Sequence, residues 1–242
     1  MTASNWTRRV AALLTLATAA TVALPSVAAQ PAPESSASAA LAAFERTQRQ
    51  DGGWAVETVQ IDAAIPHLSK QGKMRAIRRL IPMGRPQYQI VESSGDRMVK
   101  QQVMARYLTL DQQNAEASPA SLALTPANYR FRFKQSVATP QGRAYIFRIT
   151  PRRKRVGLIK GELWLEDGSG IPLRLSGLFV KNPSIFIKRI QVTRDLSVCD
   201  GAIEARSTHL SIHTRVVGTA ELFIVERPYA DAADAETAFD HR

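Results

Sequence analysis

The sequence predicts an all-β domain with minor α content: one large, curved antiparallel sheet, an incomplete β-barrel, with a helix packed in the opening. Three observations predict it. From Trp54 onwards apolar residues recur mostly at every second position, most clearly where Tyr129, Phe131 and Phe133 alternate with Arg130, Arg132 and Lys134. The alternating runs are separated by short turn signals such as Thr139-Pro140-Gln141-Gly142 and Asp167-Gly168-Ser169-Gly170. Strands joined by tight turns pair antiparallel, because parallel neighbours need a crossover of a dozen or more residues. A sheet of about ten such strands tends to curl, and the predicted helical content is too small to cover it flat.

The elements follow in order. Residues 1–29 read as a cleaved signal peptide: Arg8 and Arg9 form a positive start, Val10 to Leu24 is an uncharged apolar run, and Val27-Ala28-Ala29 offers small residues at the cleavage point. That run is too short for a membrane-spanning helix, which needs about 20 apolar residues. The sequence does not separate the general from the twin-arginine export route. Residues 30–38, rich in Pro, Ala and Ser, are expected to be a disordered lead-in. Leu41, Phe44 and Thr47-Gln48 fall at helical spacing, which predicts a helix over 39–50 ending before Gly52-Gly53. Strands are then expected within 54–68, over 74–81, and over 88–92 and 98–109 as a hairpin around Ser93-Ser94-Gly95-Asp96. Residues 110–127 lack a clean period and carry two prolines, so a loop with a short helix is expected. Seven more alternating runs reach Pro228: 129–134, 143–150, 157–166, 171–180, 185–196, 203–217 and 220–226. The domain is thus expected to span 39–228, with a polar tail over 229–242.

Loss of residues 1–29 leaves 242 − 29 = 213 residues, enough for one core. The single cysteine, Cys199, rules out an internal disulfide, so packing alone must hold the domain together. The formal charge of +11 is concentrated: between Arg143 and Arg194 there are 12 Lys/Arg against 3 Asp/Glu, a net +9. Such a field attracts polyanions. In an exported chain these are anionic lipid headgroups or acidic envelope polymers, and nucleic acid is not expected as a partner.

The segments Tyr145 to Arg152, Gly161 to Arg174, Gly177 to Ser184 and Arg215 to Leu222 carry a further signal. Leu163-Trp-Leu-Glu-Asp-Gly-Ser-Gly-Ile-Pro-Leu173 is a strand ending in an acid, a glycine turn and a return strand. In these segments the chain resembles the outer-membrane lipoprotein-sorting (LolA-like) superfamily, over roughly Tyr129 to Pro228. The resemblance implies a half-barrel with a helical lid over an apolar cavity. It implies a periplasmic location and binding of lipid or lipoprotein acyl chains, as a carrier or chaperone. It also leaves open a signalling or interaction module that meets a membrane partner through its basic face.

The residues themselves offer little chemistry. His209 and His213 lie on one strand, about 13 Å apart at roughly 3.3 Å per residue, too far to share a metal. No pair of acids is spaced for proton transfer, so an enzyme is not expected, nor a cofactor, nor a metal site. Tyr129, Phe131, Phe133, Tyr145, Phe147, Leu163, Leu165, Leu173 and Phe179 are expected to share the inner face, with Ile149 and Leu175. They fit either a filled core or a lining for acyl chains. Trp164 falls on the opposite face. Arg152, Arg153, Lys154 and Arg155 fit a solvated loop or a contact for anionic headgroups or a partner. A monomer is expected, and a membrane protein is a candidate partner.

Overall fold

A computed structural model of the chain describes residues 33–50, 54–81, 84–116, 119–140, 142–199 and 202–229. The predicted signal segment 1–29 lies outside the described residues, as do 30–32 and 230–242 of the lead-in and tail. The elements in order are α1 (Pro33–Gln50), β1 (Val56–Ile65), β2 (Lys70–Arg79), β3 (Gln87–Gly95), α2 (Arg97–Val99), a π-helical stretch (Lys100–Met104), α3 (Ala105–Glu116) and α4 (Pro119–Leu122). Seven strands follow: β4 (Tyr129–Thr139), β5 (Gly142–Pro151), β6 (Ile159–Glu166), β7 (Pro172–Phe179), β8 (Ile187–Cys199), β9 (Ala202–Thr214) and β10 (Thr219–Pro228).

All ten strands form one antiparallel sheet in the order β3-β2-β1-β10-β9-β8-β7-β6-β5-β4. Two meanders, β1 to β3 and β4 to β10, are joined by the pairing of β1 with β10, from Glu57 opposite Pro228 to Ala64 opposite Glu221. β3 and β4 stay as free edges, so the sheet curls without closing into a barrel. Register shifts at Arg75/Ala76, Phe133/Gln135, Trp164/Leu165, Ile187/Arg189 and Ser197/Val198 add the local bending that such curling needs. Arg130, Arg132 and Lys134 place charge on the β4 edge, which discourages a further strand from adding there.

Two helical segments cover the inner face, where one was expected. Helix α1 lies over β4 to β7: Ala37, Ala40 and Phe44 are buried with Tyr129, Tyr145, Phe147, Ile149, Leu163, Leu165 and Leu175. It passes so close to the β6–β7 turn that a Cβ on Gly170 would sit 2.5 Å from Ala40 O and from Phe44 N, and Gly170 has φ +70°. Only glycine fits that contact. The continuous run of α2, the π-helical stretch and α3 covers the other half. There Val99, Val103 and Met104 are buried against Val59, Ile61, Ala63, Ile65, Met74, Ala220, Leu222 and Ile224.

Two expectations are corrected here. Residues 98–109, expected as a strand, are helical, so β3 does not pair across Ser93–Asp96 with a hairpin partner. Val99, Val103, Met104, Tyr107 and Leu108 repeat at helical spacing, and Asp96 caps the helix, its Oδ1 accepting from Met98 N at 2.8 Å and Val99 N at 3.3 Å. In addition, α1 begins at Pro33, inside the lead-in expected to be disordered, because proline is tolerated in a first helical turn and Glu34 favours its positive end.

Candidate functional site: an apolar cavity and a buried ionic cluster

The helix over β1, β2 and β10 does not sit flush on the sheet beyond them. Between it and strands β8 to β10 lies a cavity of about 650 Å³. Its roof is Met98, Val103, Tyr107 and Leu110, with Gln102 and Arg106. Its floor is Ile65, Ile190, Leu210, Ile212 and Ala220, which follow from the register: Ile190 faces Ile212, and Ile212 faces Ala220. Phe179 closes the side towards α1, and Val156, Pro183, Phe186, Val216 and Val217 border it at one end of the sheet. A mostly apolar cavity of this size falls within the about 300–1,000 Å³ of small-molecule sites.

The structure distributes the sequence-predicted residues over two places. Tyr129, Tyr145, Phe147, Leu163 and Leu165 are buried in the packed cluster under α1, with Phe131 and Phe133 against its flank. Edge-on ring contacts of Phe133 with Tyr145 (6.3 Å) and Phe147 (6.0 Å) fill that space. Leu173 is half-buried on β7. Of the nine, Phe179 borders the cavity among the described residues. The expected inner face is therefore real, but α1 fills its β4–β7 half, and the open volume is under the second helix. Ile190, Leu210, Ile212 and the helix residues were missed as lining. The helical period across 98–110 was the signal that could have found their roof.

One corner of the cavity is ionic. Asp111 of α3, which lines the cavity, accepts from Tyr88 Oη at 2.6 Å and from Arg78 Nη1 at 3.3 Å. Arg78 is buried on β2 and also donates to Glu57 Oε1 and Glu226 Oε1 at 2.8 and 2.7 Å. Arg206 approaches the same two acids at 3.8 and 3.5 Å, and its guanidinium lies 4.7 Å from the centre of the Trp54 ring. Three carboxyls thus meet two guanidinium groups. Burial pushes the Glu57 carboxyl above its usual range, against the lowering effect of Arg78. Burial likewise holds the Tyr88 and Tyr107 hydroxyls protonated well beyond neutral pH. This cluster ties α3 directly to β2 and β3 and, through Arg78, to β1 and β10.

The remaining predicted positions are accounted for locally. Arg152, Arg153, Lys154 and Arg155 are exposed between β5 and β6, where Arg152 Nε donates to Pro126 O at 2.7 Å. His209 stacks on Phe223 at 4.2 Å and meets Glu221 Oε2 at 2.7 Å, and His213 contacts Thr219 Oγ1 at 3.0 Å. Trp164 is covered by the Arg174 guanidinium at 5.5 Å. Among the described residues no helix is long and apolar enough to cross a membrane.

Comparison with family models and with curated protein sequences finds no match. Solved structures do match. The chain is similar to a LolA superfamily protein, NE2245 of Nitrosomonas europaea, at 11% identity and TM-score 0.43, over 78% of this chain and 93% of that one. It is also similar to a DUF1329 family protein of Desulfovibrio piger at 10% identity and TM-score 0.39, over 86% and 97%. A putative outer membrane lipoprotein-sorting protein domain of Vibrio parahaemolyticus matches at 9% identity and TM-score 0.35, over 85% and 97%.

Proposed function

We propose that the chain is a non-enzymatic periplasmic carrier that holds the acyl chains of a lipid or lipoprotein in the cavity under α2–α3. The single observation that carries this reading is the cavity itself: about 650 Å³, walled by aliphatic and aromatic side chains, beneath a helix tied down at a polar corner. Each CH₂ of a cargo chain moved from water into such a wall contributes about 0.8 kcal/mol. Gln102, Arg106 and Ser184, at the border of the apolar space, are placed to meet an ester or amide linkage. The resemblance of the sequence to lipoprotein-sorting proteins supports the same class of cargo.

Native mass spectrometry of the protein purified from its own envelope, with lipid extraction of any adduct, tests this. The expected result is an acylated adduct that is absent from Ile212→Trp, whose indole fills the floor, and retained by Phe133→Leu under α1. A ligand-free mass that stays unchanged after incubation with fatty acid and phospholipid overturns the reading.

A further inference from the structure

The cavity opens at one end of the sheet, and that end has a composition of its own. The loops 152–158, 180–186 and 215–218 are neighbours there: Val180 N donates to Leu158 O at 3.0 Å, and Arg215 N donates to Phe186 O at 2.8 Å. Arg215 Nε also donates to Ile185 O at 2.9 Å, which locks two of the loops together. On these turns stand Ile185, Phe186 and Val216, with 80%, 57% and 76% of their surface exposed. Phe186 and Val216 also line the cavity, so the exposed apolar tips ring its mouth.

Around the tips the charge has one sign. The four basic residues of 152–155 are joined by Lys181, Lys188, Arg189 and Arg215, all exposed, and the three loops with the first residues of β8 contain no Asp or Glu. A solvated loop explains the cations but not Ile185 beside Phe186 in water. Apolar tips set within a ring of Lys and Arg match the bilayer interface, where the tips enter the acyl boundary and the cations meet anionic headgroups. An acidic protein would match the charge, but its flat surface is a poorer fit to separate apolar residues on turns around an opening.

We propose that this rim docks the protein on anionic lipid bilayers, with Ile185, Phe186 and Val216 inserted and the mouth of the cavity facing the membrane. The docking surface is independent of what the cavity holds.

Sedimentation with phosphatidylglycerol–phosphatidylcholine vesicles in equal parts, against phosphatidylcholine alone, tests it. The expected result is binding to the anionic vesicles only. The triple variant Ile185→Ser, Phe186→Ser, Val216→Ser and the double variant Arg153→Glu, Arg155→Glu should each weaken it about tenfold or more, since one basic residue near the surface contributes on the order of 1 kcal/mol. Arg130→Glu with Arg132→Glu makes the same change in net charge on the β4 edge and should leave binding within about twofold. Circular dichroism confirms that each variant is folded. Absence of vesicle binding by the folded wild-type protein overturns the proposal and turns attention to a protein partner for this face. So does equal loss in both charge variants, or no loss in the apolar variant. Ile212→Trp should bind vesicles like the wild type, so failure of the cargo reading and failure of this one are told apart.

Discussion

At the scale of single residues the most consequential side chain is Arg78. It is 5% exposed and bonded to Glu57 and Glu226, both buried, and to Asp111 and Tyr88. Removing one partner of a buried ion pair costs about 3–5 kcal/mol, because the other charge is left without compensation. Arg78→Met should therefore destabilise by that amount in urea unfolding at neutral pH. The sign of its pH dependence follows from Glu57, whose folded-state carboxyl is already raised by burial and would rise further without Arg78. A raised acid binds more protons in the folded than in the unfolded state just above its usual value, so its stability term worsens as pH rises. The gap between wild type and variant should narrow from pH 8 to pH 5. A gap that widens towards acid would contradict the ionic account. None of this was legible in the sequence: Glu57, Arg78, Asp111 and Glu226 meet only through a sheet order that pairs β1 with β10.

At the scale of elements, the helical run 97–116 decides whether there is a cavity. It starts at Asp96, paired with Lys70 at 3.3 Å. Its carboxyl is held below the usual aspartate range: burial, the largest single effect, raises it, and the amides of Val99 and Met98 together with Lys70 outweigh that. A depressed acid contributes stability that is present above the unfolded value, near 3.8, and lost as pH falls through the folded one. Amide protection factors across the segment, taken relative to intrinsic exchange at each pH, should therefore fall below about pH 4 in the wild type. Asp96→Asn, which still accepts at the cap, should remove that pH dependence, and Asp96→Ala should speed exchange at every pH. Wild-type protection factors in this helix that are flat with pH would sink the argument. The segment also shows why sequence reading slipped. Ser93-Ser94-Gly95-Asp96 looks like a hairpin turn, yet the same Asp is a helix cap. The helical period of Val99, Val103, Met104, Tyr107 and Leu108 was present in the sequence, but the turn signal before it outweighed it.

At the scale of the whole molecule, the meander from β4 to β10 was readable because tight turns and period-two alternation are local properties. The inner apolar face of β4 to β7 was readable for the same reason. Which half of that face is filled was not, since it depends on where two helices land. Helix α1 fits its half closely, to the point of requiring Gly170, whereas α3 is anchored at the Arg78 cluster and leaves space further along. That asymmetry has a thermodynamic consequence. A ligand that binds the folded chain and not the unfolded one stabilises it by RT ln(1 + [L]/Kd), about 2.7 kcal/mol at a hundredfold excess over Kd. Palmitate or lysophospholipid in excess should accordingly raise the urea midpoint with unchanged slope, and the increment should grow with the logarithm of concentration below micelle formation. Ile212→Trp should unfold near the wild-type midpoint without ligand, because the indole replaces empty volume, and should gain nothing from added lipid. If both proteins were stabilised alike, the lipid would be adsorbing elsewhere and the space under α3 would not be its seat.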